Sequence, residues 1–276
     1  MTSATHQRQL GEFRLLIAKD GSGGTRPLAE LVDDLPSDLR DAQIFMEGGL
    51  MVIDTPKLRL LLDAGNGPNR GPRAHAAESA FAEHGVSPDA IDMVLLTHGD
   101  PDHIGGLLDS VGDLSYSRAR YVLHEDLWNA LTSAPTAGLY FPGQAEFVHR
   151  LATLIESRMI LFDAPCAVTS GVQAVPAPGH RAGHTLYRLF SRGEALWHIG
   201  DAAFDPLFLE RPELVIPAEY QPDVARATRE ALAQQASEEG AWIVGSHFRA
   251  CDVGRLRPTG KTARFHWVAD GAGTEP

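Results

Sequence analysis

Cysteine is scarce in this 276-residue chain: Cys166 and Cys251 stand far apart, outside any CxxC pattern. A disulfide framework is therefore not expected, and a reducing, cytoplasmic setting fits. Long apolar runs are missing as well. No stretch approaches the roughly 20 residues needed to span a bilayer, and the polar Met1 to Leu10 segment lacks the apolar run of a secretory signal. Membrane partners are not expected. Basic charge is in short supply, with 24 Lys and Arg against 36 Asp and Glu, a net charge of −12. That balance argues against a surface built to hold nucleic acid and reads as a solvated exterior. Internal repeats, low-complexity blocks and a dividing linker are also lacking, so a single domain over residues 1–276 is expected. Its core should run from about 13 to 268, with the polar N-terminus and the tail from Gly271 loose.

Hydrophobic residues, at 43%, are ample material for that core. Phe13 to Ala18 reads as a first strand. Gln43 to Asp54 and Lys57 to Leu62 read as a strand pair turning at Asp54-Thr55-Pro56. Ile91 to Leu96 is the short apolar run of a buried strand, and Arg120 to His124 is another strand. Later strands are expected at Met159 to Phe162, Val172 to Val175, Thr185 to Phe190, Ala195 to Ile199 and Trp242 to Gly245. Helices are expected at Ala74 to His84, Glu125 to Ala134, Gln144 to Ile155 and Asp223 to Glu238, with a further helix start over Gly105 to Val111. Strands dominate early and mix with helices later, the pattern of a layered α/β fold.

Twelve histidines are a mild excess, and their positions matter more than their number. The segment Thr97-His98-Gly99-Asp100-Pro101-Asp102-His103 follows directly on the run ending at Leu96. Its glycine and proline forbid a regular helix or long strand, and a strand end opening into such a loop lets side chains converge. Two imidazoles and two carboxylates form a ligand set suited to Zn, Mn or Fe. Helix capping would explain one aspartate, but not two interleaved with two histidines. Pro178-Gly179-His180-Arg181-Ala182-Gly183-His184 is a loop leading into a strand. His180 is its better ligand candidate, and His184 stacks or hydrogen-bonds behind. Asp201 follows Ile199-Gly200, and His247 follows Gly245-Ser246; each alone is an ordinary turn residue. The signal lies in repetition, because four strand-to-loop junctions each deliver His or Asp.

His98-x-Asp100-x-Asp102-His103 resembles the His-x-His-x-Asp-His signature of the metallo-β-lactamase superfamily. His180, Asp201 and His247 follow in that family's order, and Asp63-Ala64-Gly65 is similar to the strand-to-Asp-x-Gly turn preceding the signature. The resemblance spans roughly Gln43 to His247 and implies a four-layer αββα sandwich, with two divalent metal ions at one edge between the sheets. By position, His98, Asp100 and His180 would hold one ion, Asp102, His103 and His247 the other, and Asp201 would bridge them. Thr97, His184 and Asp63 would stand behind these ligands. The cues Gly200-Asp201-Ala202, Ala227-Thr228-Arg229 and Gly245-Ser246-His247-Phe248 look most like the methyl parathion hydrolase branch.

That resemblance implies a hydrolase attacking an ester-like bond of a small molecule, such as a lactone, carboxylic ester or organophosphate, with a metal-activated water. Asp102 and Asp201 would be its catalytic carboxylates. Tyr140, Phe141, Phe204, Phe208 and Tyr220 fall in loops suited to an apolar mouth, and equally to ordinary packing. Arg181 could orient an anionic group, but a solvated arginine is the preferred reading. Phosphodiester or nucleic-acid cleavage, di-iron oxygen or redox chemistry, and a metal-binding sensor are the alternative readings, and a homodimer is compatible with the sequence. Asp100 is the departure, since the family usually has histidine there. Two carboxylates, two divalent ions and a hydroxide sum to +1, and a third carboxylate brings the sum to zero. In such a site Mn²⁺ or Fe²⁺ should become more competitive with Zn²⁺, and the metals should be weaker Lewis acids.

Overall fold

The computed structural model describes residues 5–21, 24–68, 76–133, 144–249, 252–260 and 264–270. In chain order, β1 (Thr5–Leu10), β2 (Phe13–Lys19), β3 (Gly24–Pro27), β4 (Gln43–Met46), β5 (Gly49–Asp54) and β6 (Arg59–Leu62) come first. Helices and strands then mix: α1 (Ala76–Glu83), β7 (Met93–Leu95), α2 (Pro101–Ile104), β8 (Arg120–His124), α3 (Glu125–Ser133), α4 (Gln144–Ile155) and β9 (Met159–Phe162). A meander follows, through β10 (Cys166–Thr169), β11 (Val172–Pro176), β12 (Thr185–Ser191) and β13 (Glu194–His198). The last elements are α5 (Leu207–Glu210), α6 (Pro222–Glu239), β14 (Trp242–Val244), β15 (Gly254–Pro258) and β16 (Phe265–Ala269).

Two seven-stranded sheets result, ordered β1-β2-β5-β6-β7-β8-β9 and β10-β11-β12-β13-β14-β15-β16. Alternation along the strands explains how they stack. Leu15, Ile17, Met51, Ile53, Leu60 and Leu62 point between the sheets, where they meet Val172, Ala174, Tyr187, Leu189 and Leu196. Their neighbours Leu16, Ala18, Val52 and Leu61 point the other way, under Phe81 of α1, Leu127 of α3 and Leu151 of α4. On the far side, Leu186, Trp197 and Ile243 pack beneath Phe208 of α5 and Leu232 and Ala236 of α6. The order is therefore helix, sheet, sheet, helix. Strands covered on both faces read as continuous apolar runs rather than alternating ones, as in β6. Each of its three fully buried leucines contributes about 1.5–3 kcal/mol. The longest helix, α6, starts on Pro222 and ends where Gly240 turns left-handed at φ 59°, a conformation that costs glycine little.

Four expectations need correction. The polar N-terminus is not loose from the start: Thr5 to Leu10 pairs antiparallel with β2 as an edge strand, and its solvent-facing polar residues disguised it. Gln43 to Asp54 is two strands, because the chain bends at Glu47 and Gly48; a Cβ on Gly48 would lie 2.4 Å from the Asp20 carbonyl oxygen. β4 pairs instead with β3 in a separate hairpin. No helix runs from Gly105 to Val111; α2 begins earlier, with Pro101 at its first turn, and a 3₁₀ turn over Gly105–Leu107 replaces its continuation. Gly105 and Gly106 lie against the backbone of Ala64 and Asn66, a close approach that a regular helix with side chains would not permit. β3, β10, β15 and β16 were not anticipated at all. The tail from Gly271 falls outside the described residues.

What the fold does for function is concentrate strand ends. β6, β7 and β8 run parallel in one sheet, and β13 and β14 in the other. Their carboxyl ends, with the β11–β12 loop, open along one shared edge. Backbone bonds cross from sheet to sheet there, from Thr185 N to Thr97 O at 2.8 Å and from Glu47 N to His247 O at 3.3 Å.

Candidate metal centre

Each strand end at that edge contributes polar side chains. Asp63 leaves β6 with φ 57°, a left-handed conformation that aspartate tolerates better than most residues. Its carboxylate accepts the Thr97 backbone N–H at 2.8 Å, the Thr97 hydroxyl at 2.7 Å and His103 Nδ1 at 2.8 Å. Having given its proton to Asp63, Thr97 Oγ1 accepts from His98 Nδ1 at 2.9 Å. Both rings are thereby fixed with Nδ1 protonated and Nε2 turned inward. This is the carboxylate-backed arrangement that orients imidazole ligands in metal sites.

Asp201, after β13, lies where the inward nitrogens meet. Its carboxylate is 3.4 Å from His103 Nε2, 3.0 Å from His247 Nε2, and 3.7 Å from both His98 Nε2 and His180 Nε2. Asp100 Oδ2 stands 3.6 Å from His98 Nε2 and 3.7 Å from His180 Nε2. Asp102 Oδ2 stands 3.5 Å from His247 Nε2 and 3.9 Å from His103 Nε2. Three overlapping groups therefore have donor atoms within 4.8 Å of one another: His98, Asp100 and His180; His98, His103 and Asp201; Asp102, His103 and His247. All seven candidate ligands come together.

His184 does not face this focus. Its Nε2 accepts the Asp201 N–H at 3.1 Å and its Nδ1 donates to the Ala177 carbonyl at 3.2 Å, so both nitrogens are occupied. The ring lies behind His98 and His180, with centroids 5.3 and 5.5 Å away. Gly200 makes this closeness feasible: with φ 51°, a Cβ there would lie 2.8 Å from His184 Nε2.

Do these residues suit metal ions? His98 Nε2, His103 Nε2, His180 Nε2 and Asp201 Oδ1 are buried without a hydrogen-bond partner among the described residues. Buried polar atoms are almost always paired, and here four unpaired ones converge, offering lone pairs to cations. Electrostatics agrees. Burial opposes ionisation of Asp201, yet His247 and His103 outweigh it and hold the carboxyl well below its ordinary range. Burial likewise opposes charge on His103, but Asp201, Asp63 and Asp102 raise its pKa well above normal. Burial, with His98 and His180 beside it, pushes His184 well below, which suits a neutral support. The cluster is an anionic pocket that calls for positive charge at its centre.

Arg181 requires a correction. It is not a solvated arginine, since its Nε donates to Asp100 Oδ1 at 2.9 Å and its Nη1 to the carbonyls of His180 at 2.9 Å and Ala218 at 3.1 Å. Glu219 has no place among the sequence expectations, and Arg229 enters them only within the cue Ala227-Thr228-Arg229. Their ion pair of 2.9 Å is fully buried, and Glu219 Oε1 lies 3.8 Å from His180 Nδ1. No spacing motif marks Glu219; a lone buried arginine on α6 was the available clue. Among the aromatics, Phe204 stands edge-on to His180 and His247, with centroids 5.5 and 5.6 Å away. Tyr220 is 59% exposed and follows its own N–H bond to the His180 carbonyl. Phe208 is core, packed under α6, and Tyr140 and Phe141 fall outside the described residues.

The chain was compared with known proteins. No curated protein sequence matches it. Its fold resembles that of AidC, a dizinc quorum-quenching lactonase solved with a product, at TM-score 0.83 and 21% identity over 98% of each chain. A hydrolase of the beta lactamase superfamily, AbOPH, gives 0.83 at 20% over 99% of each. A probable metal-dependent hydrolase from Staphylococcus aureus gives 0.78 at 19%, over 96% of this chain and 99% of that one. The model of the metallo-beta-lactamase superfamily matches residues 50–247. That span begins in β5 and closes on His247, so it contains Asp63, the whole signature segment and every other residue of the cluster. With seven converging candidate ligands, stacked sheets flanked by helices and a match across most of its length, this chain belongs to the metallo-beta-lactamase superfamily.

Proposed function

We propose that this protein is a dinuclear metal-dependent hydrolase that opens a lactone, or a closely related ester, of a small molecule. The observation that carries this reading is Asp201, whose carboxylate stands 3.0–3.7 Å from four imidazole nitrogens drawn from three separate loops. In this reading His98, Asp100 and His180 hold one divalent ion, Asp102, His103 and His247 hold the other, and Asp201 serves both. When bound, the two ions supply Lewis acidity, polarising a carbonyl oxygen and lowering the pKa of water.

The chain's own residues do the rest. Asp63 and Thr97 fix the tautomers of His103 and His98. Asp102, whose side chain is 33% exposed, is the carboxylate nearest solvent and the one placed to carry a proton outward. Phe204 supplies an apolar wall between the two halves, suited to an acyl or alkyl group rather than a phosphate. The lactonase described for AidC supports the substrate class. Four imidazoles favour zinc. Because Arg181 offsets the charge of Asp100, the electrostatic reason to prefer iron and redox chemistry falls away. We further propose a cytoplasmic protein without nucleic-acid or membrane partners, on its two cysteines and its net charge of −12. No helix among the described residues is long and apolar enough to cross a membrane.

The test is a panel of lactones, aryl esters, phosphotriesters and phosphodiesters, run on protein reconstituted with Zn²⁺, Mn²⁺ or Fe²⁺. Lactone hydrolysis with two ions bound is the expected result. Turnover confined to phosphodiesters, or full activity without metal, would overturn it. Phe204→Ala should raise KM for long-chain lactones by roughly 10-fold with little change in kcat, as loss of apolar contact implies.

A further inference from the structure

We infer that Arg181 is the residue that lets aspartate replace histidine at position 100, the two side chains acting together as one neutral ligand. The inference rests on the reading of the cluster as a metal centre. Its basis is the division of labour within one carboxylate. Oδ1 of Asp100 takes the Arg181 Nε–H at 2.9 Å, while Oδ2 faces His98 and His180 at 3.6 and 3.7 Å. One oxygen is tied off and one is presented.

The guanidinium is itself fixed. Its Nη1 bonds the carbonyls of His180 and Ala218, so the segment that delivers His180 also delivers the counter-charge for Asp100. Both side chains are shielded, with 22% of Arg181 and 14% of Asp100 exposed, so solvent screens the pair only partly. Histidine contributes no formal charge as a ligand, and neither does Asp⁻ with Arg⁺. The centre therefore recovers the charge of the two-carboxylate set, and Asp100 does not make it a harder site. The other exposed carboxylate is unlike it: the ion pairs of Asp102 among the described residues are with His247 and His103 alone. Arg181 is thus a positioning residue, acting on the metal through Asp100.

A double-variant cycle tests this. Metal-stripped wild type, Asp100→His, Arg181→Gln and the double variant are titrated with Zn²⁺ and then Mn²⁺ against a competing chelator. Asp100→His alone restores the commoner ligand yet leaves Arg181 beside the ions without its carboxylate. Zn²⁺ affinity at one of two sites should fall roughly 10- to 100-fold, the range seen when groups behind a ligand are disturbed. Adding Arg181→Gln should bring it back to within about 3-fold of wild type. Arg181→Gln alone should raise the Mn²⁺-over-Zn²⁺ preference roughly tenfold, because its uncompensated carboxylate is harder. Undiminished affinity in Asp100→His, or no recovery in the double variant, overturns the inference. Melting curves of the metal-free proteins check folding; should Asp100→His fail to fold, an unchanged Mn²⁺-to-Zn²⁺ ratio in Arg181→Gln is the overturning result. A wild type that binds no ion would instead overturn the metal-centre reading itself.

Discussion

His103 and His180 sit on opposite sides of Asp201, and each has a buried carboxylate behind it. Asp63 meets His103 Nδ1 at 2.8 Å, within hydrogen-bond range. Glu219 stops 3.8 Å short of His180 Nδ1, beyond any hydrogen bond, and spends its charge on Arg229 instead. His180 is held by ring packing against His98, His184 and Phe204. His103 is therefore set by a bond to its backing carboxylate before any ion arrives, and His180 by shape. The difference teaches that equivalent ligands need not be equally constrained, and it predicts that damage behind them will be felt unequally.

Asp201→Ala breaks the comparison outright, since it removes the group both halves share. Hydrolytic activity should fall on the order of 10³-fold or more, with metal content dropping below two ions per chain. Metal analysis beside steady-state kinetics reads this, and near-wild-type values would end the bridging role. Asp63→Asn comes next. The amide cannot accept from Thr97 N, Thr97 Oγ1 and His103 Nδ1 as the carboxylate does, so His103 loses its tautomer control directly and His98 loses it through Thr97. Metal affinity should weaken about 10- to 100-fold, most at the ion His103 holds, measured by the same chelator competition. Glu219→Gln should cost the His180 half less than about tenfold in affinity, because no bond to that ring is lost. Its larger signature should be thermal: neutralising the partner of buried Arg229 destabilises by about 3–5 kcal/mol, a drop in Tm visible by calorimetry. An effect on metal affinity as large as that of Asp63→Asn would erase the distinction between the two rings.

Which of these features could be read from sequence follows from how local each one is. The segment His98 to His103 declares itself because four ligands sit within six residues. Asp63 is legible as the residue ending an apolar strand before a glycine. Buried strands such as Thr185–Ser191 and the helix Gln144–Ile155 show up by composition and period. Arg181 was misread because its partner lies 81 positions away; spacing in sequence says nothing of a contact made by two loops from different sheets. Glu219 is hidden although Arg229 is only ten positions on, because no motif spacing links a loop carboxylate to a helix arginine. β1 was missed because an edge strand buries only part of itself, so its polar residues are compatible with a loose terminus. The break at Gly48 depends on the Asp20 carbonyl, which is likewise a tertiary fact.

The smallest expected effect is also informative. His149 carries the same imidazole as the ligands, but it lies exposed on α4, on the helical layer outside the first sheet. His149→Ala should shift stability by no more than about 0.5 kcal/mol and leave both metal affinities at wild-type values. If instead it lowered metal content, ions would be binding to histidines in general rather than to the buried cluster. The contrast between the bonded and the packed ring would then lose its foundation, because the readout would no longer belong to either. An unchanged metal count in His149→Ala, measured beside Asp63→Asn and Glu219→Gln, ties the graded losses to what stands behind each ring.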